Sequence, residues 1–481
     1  MYLGLDLGTT NVKVLIVDEE GSVVGRASSS VNRVETPDGG VEQDIEQIWQ
    51  ATCDSIIEAI AGIDANRIRA IGVSSQGSAL QLLDERQRPI GRVVSWLDGR
   101  GQPFDEELTK ELGNDFFSTH VGHGASGLAV GQILRLRQND PSAVARDRQV
   151  AFVGDIIVGR LCGRRAHDAT SLAIALLYNP CLGKADPELL ERLEVSEQQL
   201  PDLITADKPA GILTAEASNQ LGLPAGIPVS AAVHDQYATA LGAGAVEAGS
   251  ICVGTGTAWV ILANTSSLEK PVTSGAFVCQ HLVEGLFGQM LSMGTGGSAL
   301  EWTIRLKDSL KWSRAQIDQS IKKVAAGCEG LVFWPLFSPY AAEQSSVESR
   351  LTSIKLNHSF NHVLRAVLEG LVCELTRHLQ IFERCNIPVS ELFLCGEGAA
   401  SNVTPQIIAN TSGKPVECIG EPFVSAMGAT VLARVLANPL DRDLQSVARQ
   451  YPPASTRIEP NEDQEIYREV LTRYLQPFSE N

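Results

Sequence analysis

Residues 230–262, SAAVHDQYATALGAGAVEAGSICVGTGTAWVIL, decide how the chain is read. The apolar run 229–233 predicts a buried strand. It ends in His234-Asp235-Gln236, and a small-residue helix is expected over 237–242. A glycine-spaced strand over 251–253, a Gly254-Thr255-Gly256-Thr257 turn and a second strand over 258–262 complete the stretch. A carboxylate at a strand's carboxyl end, followed by a glycine and threonine hairpin, suits phosphoryl transfer to a hydroxyl. The acid can take the proton, and the hairpin N–H groups can hold a phosphate. The competing reading of Asp235 is an N-cap for the helix that follows.

The chain opens in a related way. Strands are expected over 2–7 and 12–17 around Gly8-Thr9-Thr10-Asn11, and a third over 22–28 makes an antiparallel meander. Apolar residues at helical spacing predict an amphipathic helix over 45–60, and strands follow over 68–74 and 79–83. The polar stretch Gln76-Gly77-Ser78 lies between these two strands. A strand over 92–95 runs into Trp96-Leu97-Asp98-Gly99-Arg100, a loop equipped to stack on and hydrogen-bond a polyol or to make local salt bridges. Residues 103–147 read as helical with a glycine-rich break at 122–131. A strand (150–154) and a helix (155–162) lead to a loop, 164–171, that holds Asp168, and 180–227 read as a peripheral excursion.

The hairpin over 251–262 echoes that over 3–17, as duplicated domains would. Helices are expected up to 305, over 312–324, 362–383, 423–437 and 464–475, and strands over 331–337, 391–395 and 415–419, with a loop over 338–350. The glycine run from Gly396 is expected to open a helix reaching about 411, presenting N–H groups to a ligand. No GxxxxGK[ST] stretch occurs, and Gly396-Glu397-Gly398 is not a dinucleotide fingerprint.

Composition narrows the class. The length of 481 residues implies two large domains, and the formal charge of −18 argues against nucleic acid and anionic membranes as partners. Ten scattered cysteines without metal-ligand spacing, among them Cys162, Cys252, Cys373 and Cys395 in apolar runs, read as reduced, buried thiols. With no basic, apolar leader and no apolar run of about 18 residues, a cytoplasmic protein without signal peptide or membrane span is expected.

The β-β-β-α-β-α opening resembles the ribonuclease-H-like core of the actin and hexokinase group. The ordered motifs DLGTT, WLDGR, HDQYATALGAG, VGTGT, MGTGGSALEW, RAVLEGL and CGEGAASN resemble the FGGY family of carbohydrate kinases, over nearly the whole chain. That resemblance implies an α/β chain of two ribonuclease-H-like domains, 1–244 and 245–481, with an interdomain ATP cleft and sugar bound in the first. By the match, Asp235 is the general base. Asp6, Gly8, Thr9 and Thr10 serve the phosphates, with Gly254, Thr255, Thr257 and Gly297 from the second half. Gly396, Gly398, Ala399 and Asn402 border the adenosine. Gln76, Gly77, Ser78, Trp96, Asp98 and Asp235 face the sugar, and Asp6 and Asp235 hold Mg2+ through water.

The pattern departs from the family in places. Xylulokinases usually read QMHG where this chain has Gln76-Gly77-Ser78-Ala79, and glycerol kinases carry an Arg-Glu pair there. The family's frequent GER-like element is Ala342-Glu343-Gln344 here, and the glycine often preceding the catalytic acid is His234, a structural hydrogen bonder or, with Tyr237, a gate. The WLDGR loop lies nearer the xylulokinase WNDGR, so D-xylulose is the expected substrate. Glycerol, gluconate, ribulose or another polyol are alternatives. From other classes, a non-catalytic ATP-binding regulator or an ATPase of the actin group would share the fold. A homodimer is also expected.

Overall fold

The computed structural model describes residues 1–307, 311–337, 348–438 and 443–478. The chain forms two compact units. The first comprises Met1–Val246, Ser266–Gly288 and Phe423–Pro452; the second comprises Glu247–Thr265, Gln289–Pro422 and Pro453–Asn481. Two segments that a single boundary at 244/245 assigns to the second half thus belong to the first unit.

In the first unit the meander forms as expected. Tyr2–Leu7 pairs antiparallel with Asn11–Val17, which pairs antiparallel with Val23–Ser30. On its other side Tyr2–Leu7 pairs in parallel with Ile71–Ser75, which pairs in parallel with Pro228–His234. Parallel strands covered on both faces are buried throughout, and Tyr2–Leu7 is buried at every position. The Ile45–Ala59 helix covers one face with Ile45, Ile48, Cys53 and Ile56, its first turn capped by Asp44, which accepts from the Glu46 N–H at 2.9 Å. The Val424–Ala437 helix packs so closely on the strands that a Cβ at Gly4 would stand 2.0 Å from the Ala426 carbonyl oxygen. One at Gly72 would stand 1.8 Å from that of Ala429. Bare backbone at these two strand positions is what admits a helix from the end of the chain into the first unit.

Several expectations are corrected. The stretch 164–171 is not a loop: it holds the strand Ala166–His167 and the start of the Ala169–Ile174 helix, capped by Asp168. Residues 180–227 are not all peripheral. Pro209–Ile212 pairs antiparallel with Pro228–His234, Asp202–Leu203 pairs with Ala166–His167, and Ala217 and Leu221 of the Ala215–Leu221 helix join the main core. Prolines and acids mark the turns of this segment but say nothing of where its apolar residues dock. The 103–147 stretch divides into helices Gln102–Leu112, Asn114–His120 and Ala129–Asn139, the first ended by Gly113 at φ +83°.

In the second unit the central strands repeat this pattern. Ser250–Thr255 pairs antiparallel with Trp259–Thr265 and in parallel with Glu391–Gly396, which pairs in parallel with Val416–Ile419. The Phe360–Arg384 helix is buried along most of its length and carries two internal ion pairs, Arg365–Glu369 and Arg377–Glu374, each at 2.7 Å. The helix expected from Gly396 starts later, at Thr404 with Pro405 in its first turn, and residues 397–400 form turns instead. The expected 331–337 strand shortens to Val332–Trp334. Ala342-Glu343-Gln344 and most of the expected 338–350 loop lie outside the described residues. Among the described residues no helix is long and apolar enough to cross a membrane.

Candidate active site

Register places the first unit's polar residues. Leu7, Ser75 and His234 stand level at the carboxyl ends of three neighbouring parallel strands. Asp6, Gln76 and Asp235 therefore converge on one edge of the sheet, where open α/β sheets bind ligands.

Asp6 is almost fully buried. Ser425 and Ser74 donate to its Oδ1 at 3.0 and 3.3 Å, and Lys13 Nζ lies 3.8 Å from its Oδ2. Burial pushes its carboxyl up to about 6; Lys13 opposes this and the Asp235 charge adds to it. Lys13, Ser74 and Ser425 were not singled out in the sequence. Lys13 follows the DLGTT turn closely enough to be suspected, but nothing local links Ser425 to residue 6.

Asp235 opens the Asp235–Ala243 helix, and the N-cap position belongs to His234, so the side chain of Asp235 is not the helix cap. Its side chain keeps 28% of its surface accessible. Burial of the carboxyl pushes it up to about 6, against the Gln236 hydrogen bonds and the Lys13 charge. A carboxylate that is partly accessible, poised near neutrality and aimed off a strand end can accept a proton. His234 Nε2 lies 3.3 Å from Asp235 Oδ1, and burial drives the imidazole down to about 3, so it is neutral. The His234 N–H donates to Thr170 Oγ1 at 3.0 Å, whose hydroxyl donates to Asp168 at 2.7 Å.

Gln76 is held in a polar circuit. Trp96 Nε1 donates to Thr9 Oγ1 at 2.9 Å, Thr9 donates to Gln76 Oε1 at 3.0 Å, and Gln76 Nε2 donates to Gln43 Oε1 at 3.1 Å. Gln43 closes the ring on the Thr9 carbonyl at 3.0 Å. The Thr9 hydroxyl thus sits on the Gln76 side, while Thr10 is exposed and Gly8 donates to Asn11 across the turn at 3.1 Å. Trp96 is 44% exposed beside this circuit. Ser78 is buried at φ +58°, and its hydroxyl has no partner among the described residues. Asp98 differs in kind. Its side chain is fully covered, and its oxygens accept from the Val41 N–H at 2.9 Å, from the Arg100 N–H at 2.9 Å, from the Arg100 guanidinium and from Gln132. Burial works against its charge, but the Arg100 bonds win and hold the carboxyl below the usual range. Asp98 organises the loop that carries Trp96.

The second unit gathers the other candidates. Thr255 Oγ1 donates to the Cys395 carbonyl at 2.5 Å and accepts from the Gly398 N–H at 2.9 Å. This clasp needs a bare backbone: a Cβ at Gly398 would stand 2.7 Å from that hydroxyl, and Gly396 has φ +86°. Gly254 lies beside Cys395 in the parallel register. Gly256 and Thr257 at the hairpin tip are exposed, and their carbonyls accept from Gly297 at 3.0 Å and Ser298 at 3.1 Å. Ala399 donates to Gly396 at 3.1 Å. Asp318, which sequence reading missed, accepts from the Asn402 N–H at 2.8 Å and from Ser401 Oγ at 2.7 Å, fixing the end of the loop. The result is a hairpin tip and a glycine loop with exposed backbone held by buried Thr255 and Asp318, a surface suited to phosphate and a flat ring.

Known proteins share these domains, with one sequence boundary between them. The N-terminal domain of the FGGY family of carbohydrate kinases matches residues 1–242, and its C-terminal domain matches 249–437. A xylulose kinase of Escherichia coli (strain K12) is 27% identical over 462 residues, 94% of this chain and 93% of the relative. An L-fuculokinase of Salmonella typhi is 26% identical over 438 residues, 90% and 91% of the two chains. The crystal structure of xylulose kinase from Rhodospirillum rubrum superposes with a TM-score of 0.87 at 25% identity, covering 100% of both chains. Matched in sequence from the first strand to the Val424–Ala437 helix and in fold throughout, this chain belongs to the FGGY family of carbohydrate kinases and is a sugar kinase.

Proposed function

We propose that this kinase transfers the γ-phosphoryl group of ATP to a hydroxyl of a ketose or polyol, with D-xylulose as the first candidate, and that Asp235 is its general base. As the oxygen–phosphorus bond forms, the hydroxyl proton passes to Asp235. The bond from the γ-phosphorus to the bridging oxygen breaks, and ADP leaves. The observation that carries this reading is the Asp235 carboxyl itself, accessible at a strand end and held near neutrality. Gln76 and Trp96, locked together through Thr9, supply a hydrogen-bonding and stacking face for the sugar. Gly254, Thr257, Gly396 and Gly398 offer bare or exposed backbone to the nucleotide.

Mg2+ would be held through water by Asp6 and Asp235, and when bound it neutralises charge on the phosphates. The donors fit such an ion. They are hard carboxylate oxygens, the ligand type that Mg2+ takes directly or through its waters. The relatives named xylulose kinase support D-xylulose, and the L-fuculokinase keeps other deoxy and keto sugars in view. The same reading takes the protein as cytoplasmic, supported by ten free cysteines, and as a homodimer, which sedimentation velocity reads directly.

The test is ATP consumption with D-xylulose, L-xylulose, L-fuculose, glycerol and D-gluconate, each at matched concentration. Turnover that depends on a sugar, greatest with D-xylulose, is expected. Turnover independent of any sugar would remove the reading.

A further inference from the structure

We propose that His234 is a positioning residue for Asp235, admitted to the site by the missing side chain of Gly77. The inference rests on the assignment of Asp235 as base. A Cβ at position 77 would stand 2.7 Å from His234 Cδ2 and 2.8 Å from its Nε2, distances that no real Cβ keeps. The imidazole therefore occupies the volume that any larger residue at 77 would fill. From there Nε2 faces Asp235 Oδ1 at 3.3 Å. At that distance the two groups touch, and an N–H on Nε2 is the tautomer that suits a carboxylate, which only accepts.

Buried ring nitrogens usually find hydrogen-bond partners. Here Nδ1 is buried with no partner among the described residues. The backbone is held instead: the His234 N–H is tied through Thr170 to Asp168 at the cap of the Ala169–Ile174 helix. The same helix supplies Ile174, whose Cγ2 would stand 2.5 Å from a Cβ at 77 and closes that side of the ring's slot. The imidazole is thus clamped by backbone and packing, with its polar edge given to the Asp235 carboxylate. Holding that carboxylate in one rotamer raises the fraction of bound sugar met by a correctly aimed base.

Side-chain geometry gives a discriminating test. A glutamine amide nitrogen falls where Nε2 lies, whereas an asparagine amide nitrogen falls where Nδ1 lies. With ATP and the most active sugar of the panel above, His234→Ala and His234→Asn are expected to lose about tenfold to a hundredfold in kcat. KM for ATP should stay within about twofold, and His234→Gln should recover most of the loss. Gly77→Ala should lose a similar factor alone and less in the His234→Ala background, where the clash with the ring is gone and only that with Ile174 Cγ2 remains. Thermal melting of each variant identifies any that fails to fold, and the cycle is read on those that do. Wild-type kcat for His234→Ala, equal behaviour of the Gln and Asn variants, or additive losses in the cycle would overturn the inference. The base assignment fails separately: an active Asp235→Asn removes it, whereas an inactive Asp235→Asn beside a wild-type His234→Ala removes only the positioning role.

Discussion

Ser425 donates a hydrogen bond to Asp6 at 3.0 Å, although 419 residues separate them in the chain. The bond forms because Gly4 and Gly72 let the Val424–Ala437 helix approach the strands closely. Ser425→Ala should therefore leave a buried carboxylate short of a donor and cost about 1 kcal/mol of stability, read by denaturant unfolding. An unchanged midpoint would show that the bond contributes nothing net.

Asp235→Asn keeps the shape of the side chain and removes its basicity. ATP binding, read by calorimetry, is expected to persist while turnover falls by at least about a hundredfold. Near-wild-type turnover would remove Asp235 from the role of base.

The same carboxyl predicts a pH profile. The base works ionised, and burial has raised Asp235 and Asp6 to about 6. The kcat/KM of the free enzyme should be level above neutrality and fall as pH drops through about 6. It should fall more steeply than for one proton if both groups must be ionised. A profile level down to pH 5 would contradict it.

Trp96→Ala removes the exposed side chain beside the Gln76 circuit and the donor to Thr9. It should raise KM for the sugar far more than for ATP. Equal effects on both would take Trp96 out of the sugar site.

His167 offers a test away from the site. It is buried, both ring nitrogens lack partners among the described residues, and burial lowers it to about 3. The unfolded chain binds the proton at about 6.5, so the folded state loses stability as pH falls below that value. His167→Leu should remove this loss. At pH 5 the variant should gain on the order of 2 kcal/mol over wild type relative to the difference at pH 8, by the same linkage. A difference that does not change with pH would show that His167 is protonated in the fold.

The sequence by itself determined the central strands of each half, the two echoing hairpins and the residues at their ends. Apolar period, glycine turns and the acid after a strand are local signals, and Asp235, Gln76 and the 254–257 hairpin carry them in a few residues. Tertiary structure alone decided what those residues meet. Asp98 has the composition of a ligand-binding residue, but packing saturates it with Val41, Arg100 and Gln132. Thr9 is turned from the phosphate turn toward Gln76 by Trp96, 87 residues away. The 202–221 stretch joins the main sheet and core because its apolar residues find a strand edge, which its prolines and acids do not announce. Gly77 and His234 each read as an oddity in the sequence. Only the register of two neighbouring strands, with His234 level with Ser75, puts the vacancy of one under the ring of the other.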